Sequence, residues 1–187
     1  TYTSFKNVKE FIRFQERFSK DELNFFECIR SKKKSKVYFD LDNKNYVNEK
    51  KGKEIIKKFT EDFTKYIKVK HGVEIEEESY RIADGSGLKK SKKGEYDVNS
   101  FHVILNDHFV MQNNNEYMQQ LYDNLMEYYK ESKPEWYDWV DGSVYTTDRL
   151  FRCLNNKKYH DTGRHFTKTE EYPEEDYYIT NIDITLP

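Results

Sequence analysis

The sequence predicts an α/β (α+β) fold, and three observations carry that expectation. Runs with a two-residue apolar period, such as "KVYFDLD" (36–42) and "NSFHVIL" (99–105), alternate with runs of helical period, such as "KEIIKKFTEDFTKYIKVKHG" (53–72). Strand-helix-strand order recurs along the chain, which suits a mixed sheet flanked by helices. With 36% hydrophobic and 17% aromatic residues, 187 residues can bury a core, so 1–187 is expected to form a single domain or two closely packed subdomains.

The elements follow in order. Phe5, Val8, Phe11, Ile12, Gln15 and Phe18 keep helical spacing, which predicts an opening helix capped near Thr3 or Ser4. "LNFFECI" and "KVYFDLD", joined by the basic "RSKKKS", read as a hairpin. Ile55, Ile56, Phe59, Phe63 and Ile67 predict an amphipathic helix that Gly72 stops. "SYRIAD" is a short strand, and "GSGLKKSKKGEYD" has the composition of an exposed loop. "NSFHVIL" is a strand, and Tyr117, Met118, Leu121, Leu125 and Tyr128 line one face of a helix ended by Pro134. "VYTTDRLFRCL" and the terminal "YYITNIDIT" are strand-like, with the polar loop "NNKKYHDTGRHF" between them. His160 and His165 in that loop have no cysteine nearby, and they read as loop residues before they read as a metal pair.

Charge and cysteine content narrow the function. The 35% charged residues nearly cancel to a net charge of −2, so a polyanion partner must be met by local clusters. Two cysteines, Cys28 and Cys153, do not make a disulfide framework or a zinc site. No apolar run approaches the roughly 20 residues of a membrane span, and "TYTSFKNVKE" lacks a secretory pattern, so a soluble, intracellular protein with no membrane partner is expected. The chain opens on Thr1 and stops at Pro187 after a strand-like run, which suggests an excised part of something longer.

Three short motifs carry chemistry. In "KVYFDLD", alternation puts Asp40 and Asp42 on one face, about 6.6 Å apart along the strand, close enough to converge on metal ions roughly 3.5–4 Å apart. Side-by-side carboxylates repel, and a divalent cation removes that conflict. On the pair alone, an exposed acidic strand end fits equally well. In "NSFHVIL", Ser100 and His102 share a face and offer hydrogen bonds to a phosphate, although a structural histidine also fits. In "VDGSVYTTDRLFR", Asp141 precedes a concentration of cations, Arg149, Arg152, Lys157 and Lys158, suited to a triphosphate or a nucleic-acid backbone.

Together and in this order, the motifs resemble the catalytic core of the archaeo-eukaryotic primase superfamily, most closely the primase-polymerases and the primase domains of large DNA viruses. That family carries a hydrophobic strand ending in Asp-x-Asp or Asp-x-Glu (here Asp40 and Asp42), then Ser-x-His (Ser100 and His102), then a single acidic residue (Asp141). "DGSVYTTDRLFR" looks like the family's Asp-x-x-Val-Tyr run followed by two arginines, and Lys158 falls where a triphosphate-binding lysine is expected. "FFECI" before a basic turn also looks like the viral members, and the likeness spans roughly residues 25 to 166. Val98 departs from it, standing where some primase-polymerases carry a basic residue, and the cysteine cluster of relatives that prime with a zinc module is absent from the sequence.

The resemblance implies a primase catalytic core with an RRM-like palm and flanking helices, acting as a template-directed nucleotidyltransferase in DNA replication. Asp40, Asp42 and Asp141 would be catalytic and hold two Mg²⁺ or Mn²⁺ ions. Ser100, His102, Arg149, Arg152 and Lys158 would bind a nucleoside triphosphate. Single-stranded DNA template and primer would be partners, the basic loops "SKKKSK" and "KKSKK" being candidate backbone contacts. A helicase domain would follow on the same chain, and a viral protein would work at the site of viral DNA replication in the host cell. Two other readings remain open: a metal-dependent nuclease using the same carboxylates, and a non-catalytic single-stranded nucleic-acid binding module.

Overall fold

A computed structural model describes residues 2–43, 45–91, 94–159 and 164–187. Its larger sheet is built around one long strand. β1 (Phe26–Ile29) and β2 (Val37–Asn43) precede helix α2 (Glu49–His71), which follows the N-terminal α1 (Val8–Gln15) in chain order. β3 (Tyr80–Asp84), β4 (Gly87–Ser91) and β5 (Gly94–Leu105) come next, then α3 (Gln119–Tyr129), α4 (Glu135–Trp139), β6 (Arg149–Arg152) and β7 (Thr167–Lys168). The five-stranded sheet runs β2-β5-β3-β7, with β4 added to the outer half of β5, while β1 and β6 form a separate two-stranded sheet.

The α/β class is as the sequence predicts, but every strand pairing among the described residues is antiparallel, so the sheet is not mixed. The reason is topological. β2 and β3, joined through α2, do run in the same direction, yet β5 inserts between them in the opposite sense.

Helix α2 forms where expected. Asn48 caps it by accepting the Lys51 N–H at 2.9 Å, and Gly72 ends it at φ +70°, a left-handed geometry that glycine adopts without a Cβ clash. Its apolar stripe packs on β2: Phe59 and Phe63 each lie 5.0 Å, centroid to centroid, from Phe39. The opposite face of β2 is buried as well, because Tyr38 lies against Tyr145 and Phe151. Asp40 therefore emerges from the interior and not from a solvent face.

Several sequence expectations are corrected. α1 is capped by Asn7, whose Oδ1 accepts the Glu10 N–H at 2.9 Å, and not by Thr3 or Ser4. β1 and β2 are not a hairpin; β1 pairs with β6, while near Leu41 and Asp40 β2 is bonded to Val140 and Asp141. "GSGLKKSKKGEYD" is not a loop but supplies β4 and the start of β5, a paired arm. Its Lys92 and Lys93 lie outside the described residues. The second long helix starts with a π turn, Asn114–Met118, and continues as a regular α-helix from Gln119. Met118, Leu121, Leu125, Met126 and Tyr129 are buried, whereas Tyr117 and Tyr128 remain 54% and 38% exposed.

Neither "VYTTD" nor "YYITNIDIT" forms a strand. Val144 belongs to a 3-10 turn, Gly142–Val144, and extended pairing begins only at Arg149. The terminal run is a strap whose Tyr177, Tyr178 and Ile179 enter the core. Glu27 holds it, accepting the Ile179 N–H at 2.9 Å and the Thr180 N–H at 3.0 Å. Asn156, fully buried, ties the N-terminal helix to this wall by donating to Gln15 Oε1 and accepting the Phe25 N–H. Among the described residues, no helix is long and apolar enough to cross a membrane.

Candidate functional site

The register of β2 on β5 assembles the site. Asp40 stands opposite His102 and Asp42 opposite Ser100, and directly opposed residues of an antiparallel pair point to the same face. Two motifs 60 residues apart in the chain thus meet as adjacent cross-strand pairs. The β1–β6 sheet closes over them, bringing Arg149 and Arg152, and Lys158 follows from the loop beyond β6. Seven of the eight predicted site residues, all but Asp141, line this one pocket.

Asp141 lies beside it. Its N–H donates to the Asp40 carbonyl at 2.8 Å, next to the Leu41–Val140 bridge. Rather than heading a strand, it caps the Gly142–Val144 turn, its Oδ1 accepting the Ser143 N–H at 2.8 Å. Among the described residues no three His, Cys, Asp or Glu side chains form a metal-holding group.

The electrostatics of Asp40 are unusual. Its side chain is only 17% exposed, and Oδ1 is buried with no hydrogen-bond partner. Burial, then the charges of Asp42 and Asp141, push its pKa well above the carboxylate range, against the pull of Arg152 and Lys158. A buried, partnerless carboxylate oxygen that feels the charges of two further carboxylates has the chemistry of a divalent-cation ligand. Asp40 and Asp42, with Asp141 alongside, could hold such an ion.

His102 is shaped differently. Phe166 stacks on one side of its ring at 3.7 Å and Phe151 lies 4.0 Å away. Burial in this aromatic slot, together with the nearby Arg152 charge, lowers its pKa well below the usual value, so the imidazole is neutral near pH 7. Arg152 in turn sits over Phe166, 4.9 Å from the ring centroid. Ser100 is fixed through its backbone, its carbonyl accepting the Gly85 N–H at 2.8 Å and its N–H donating to Ser86 Oγ at 3.0 Å.

The pocket also contains Arg164, Phe166 and Phe26, which no motif singled out, and Lys89, the first residue of the "KKSKK" segment expected to contact a nucleic-acid backbone. That run reads as a loop in the sequence, and only the fold brings Lys89 to the pocket. Arg164 and Phe166 follow a polar stretch without a motif, and only the fold shows Arg164 donating through Nε to the Gly85 carbonyl at 3.1 Å. Of the two loop histidines, His160 lies outside the described residues, and His165 meets the Lys20 carbonyl through Nε2 at 2.8 Å. No protein-family model and no curated protein matches the chain.

Proposed function

We propose that the chain is the catalytic core of a DNA primase-polymerase, transferring nucleotides to a growing strand on a single-stranded DNA template. One observation carries this reading: the Asp-x-Asp strand and the Ser-x-His strand are hydrogen-bonded neighbours in a register that pairs Asp40 with His102 and Asp42 with Ser100. A metal-binding edge and a phosphate-binding edge then share one pocket with Arg149, Arg152 and Lys158. A nuclease would use the carboxylates, but it has no need of the triphosphate-binding half.

Asp40 and Asp42, joined by Asp141, would hold two Mg²⁺ or Mn²⁺ ions. Such ions, when bound, lower the pKa of an attacking 3′-hydroxyl and offset the charge of a departing pyrophosphate. Neutral His102 donates one ring N–H to a phosphate oxygen, and the Ser100 hydroxyl donates beside it. Arg149, Arg152 and Lys158 neutralise the phosphate oxygens, the arginines through planar, paired N–H groups. Phe151 and Phe166 keep the imidazole in place and keep water from its ring faces. The basic segment Arg30–Lys34 adjoins Arg149 through the β1–β6 ladder, which would lead a template or primer backbone toward the pocket. In the same proposal, a helicase domain follows on the full-length chain, and the setting is viral DNA replication.

The test is nucleotide incorporation on primed and unprimed single-stranded DNA, with Mg²⁺ or Mn²⁺, by the wild type and by an Asp40→Ala, Asp42→Ala double variant. Metal-dependent synthesis by the wild type alone is the expected result, with the unprimed lane separating priming from extension. Template degradation without incorporation would turn the assignment to a nuclease. Tight single-strand binding with no synthesis from either protein would turn it to a binding module.

A further inference from the structure

We propose that Lys89 binds the outermost phosphate of the incoming nucleotide and makes the pocket select triphosphates over diphosphates; this rests on the nucleotidyl-transfer reading above. Lys89 comes from β4, the arm that pairs with the outer half of β5. In that register Gly87 faces Val98 and Lys89 faces Tyr96, so the site face continues from His102 and Ser100 through Val98 to Lys89. Val98 is buried and apolar, and it offers a phosphate nothing. Lys89, which lines the same pocket, supplies the charge on that side.

Position along the strand fixes which phosphate it meets. Transfer breaks the bond beyond the α-phosphate, which must lie at Asp40 and Asp42, and the remaining phosphates extend away from them. Arg152 lies over Phe166, which stacks on His102 opposite Asp40, and this puts it at the carboxylate end. Lys89 is anchored four residues beyond Ser100, about 13–14 Å along the ladder, and its flexible four-carbon stem leads back toward the pocket.

The arm's root is firmly tied to the site. Gly85 donates to the Ser100 carbonyl, Ser86 accepts the Ser100 N–H, and buried Arg164 donates to the Gly85 carbonyl. A shift of β4 is therefore transmitted to Ser100. Lys89 itself is half-buried and lies outside the buried core, so its replacement removes no core packing.

The experiment measures equilibrium binding, with Mn²⁺, of an α,β-methylene deoxynucleoside triphosphate and of the matching diphosphate to the 187-residue chain. Wild type, Lys89→Ala and Lys89→Arg are compared, each checked for an unchanged melting temperature. The wild type is expected to prefer the triphosphate. Lys89→Ala should lose roughly tenfold in triphosphate affinity and little in diphosphate affinity, and Lys89→Arg should keep the preference. A wild type that binds both nucleotides while Lys89→Ala leaves their ratio unchanged overturns the role of Lys89 alone. A wild type that binds neither overturns the nucleotidyl-transfer reading beneath it.

Discussion

His102 and Asp40 face each other across the β5–β2 ladder, Nε2 3.8 Å from Oδ1, and yet do not form an ion pair. Burial drives the imidazole towards neutrality and the carboxylate towards its protonated form. The protein thus keeps two potentially complementary groups side by side and satisfies neither charge with the other. Such an arrangement costs stability, and it leaves both groups available to something that enters the pocket.

Asp40→Asn should therefore raise the melting temperature of the metal-free protein at pH 8, because it removes a buried charge repelled by Asp42 and Asp141 while keeping the side chain's shape. A chain of this size gains about 2–4 °C for each kcal/mol. Added Mn²⁺ should raise the melting temperature of the wild type and leave the variant nearly unmoved. A metal-free variant that melts below the wild type would contradict this account of Asp40.

Gly85→Ala should disturb His102 without touching it. A Cβ at Gly85 would lie 2.8 Å from the ring of Phe166, which is fully buried and stacked on the imidazole. Overpacking of this kind costs about 1–3 kcal/mol. Chemical denaturation of the variant, with the His102 ring resonances followed by NMR, checks both effects. Unchanged resonances together with full stability would show that the aromatic slot relaxes freely.

Lys36 gives a pH dependence of definite sign. Its buried ammonium donates to Asn106 Oδ1 at 2.7 Å and to the Asp176 carbonyl at 2.8 Å, and burial lowers its pKa to about 8 from the usual 10.5. The folded chain releases this proton near pH 8, while the unfolded chain holds it to about 10.5. The contribution is thus fully present above pH 10.5 and is lost as the pH falls through 8. Relative to Lys36→Met, the wild type should gain stability between pH 8 and 10 at a slope of up to about 1.4 kcal/mol per pH unit. A difference that stays flat over this range would mean that Lys36 titrates normally.

The parts legible in the sequence are those whose signal is local. α2 shows its period, its Asn48 cap and its Gly72 stop within one window, and the two site strands show their carboxylates and their Ser-x-His by simple alternation. The β1–β6 pair is not legible, because Phe26 and Arg152 meet across 126 positions and nothing near either residue names the other. β4 looks like a loop because an exposed strand needs no apolar alternation, and that is why Lys89 reads as a backbone contact and not as a pocket residue. Tyr128 and Tyr129 lie three and four residues beyond Leu125, so spacing alone admits either, and only the packing shows that Tyr129 is the buried one.

The distance in sequence between β1 and β6 also bears on the order of synthesis. As the chain leaves the ribosome, β2, α2, β3 and β5 can complete a sheet that already pairs Asp40 with His102 and Asp42 with Ser100. β1 must then wait, without a ladder partner, until residues 149–152 emerge, and the second aromatic wall of His102 arrives only with Phe166. The acidic edge is therefore complete before the pocket is, and a chain that stops before Phe166 lacks one wall of the aromatic slot around His102.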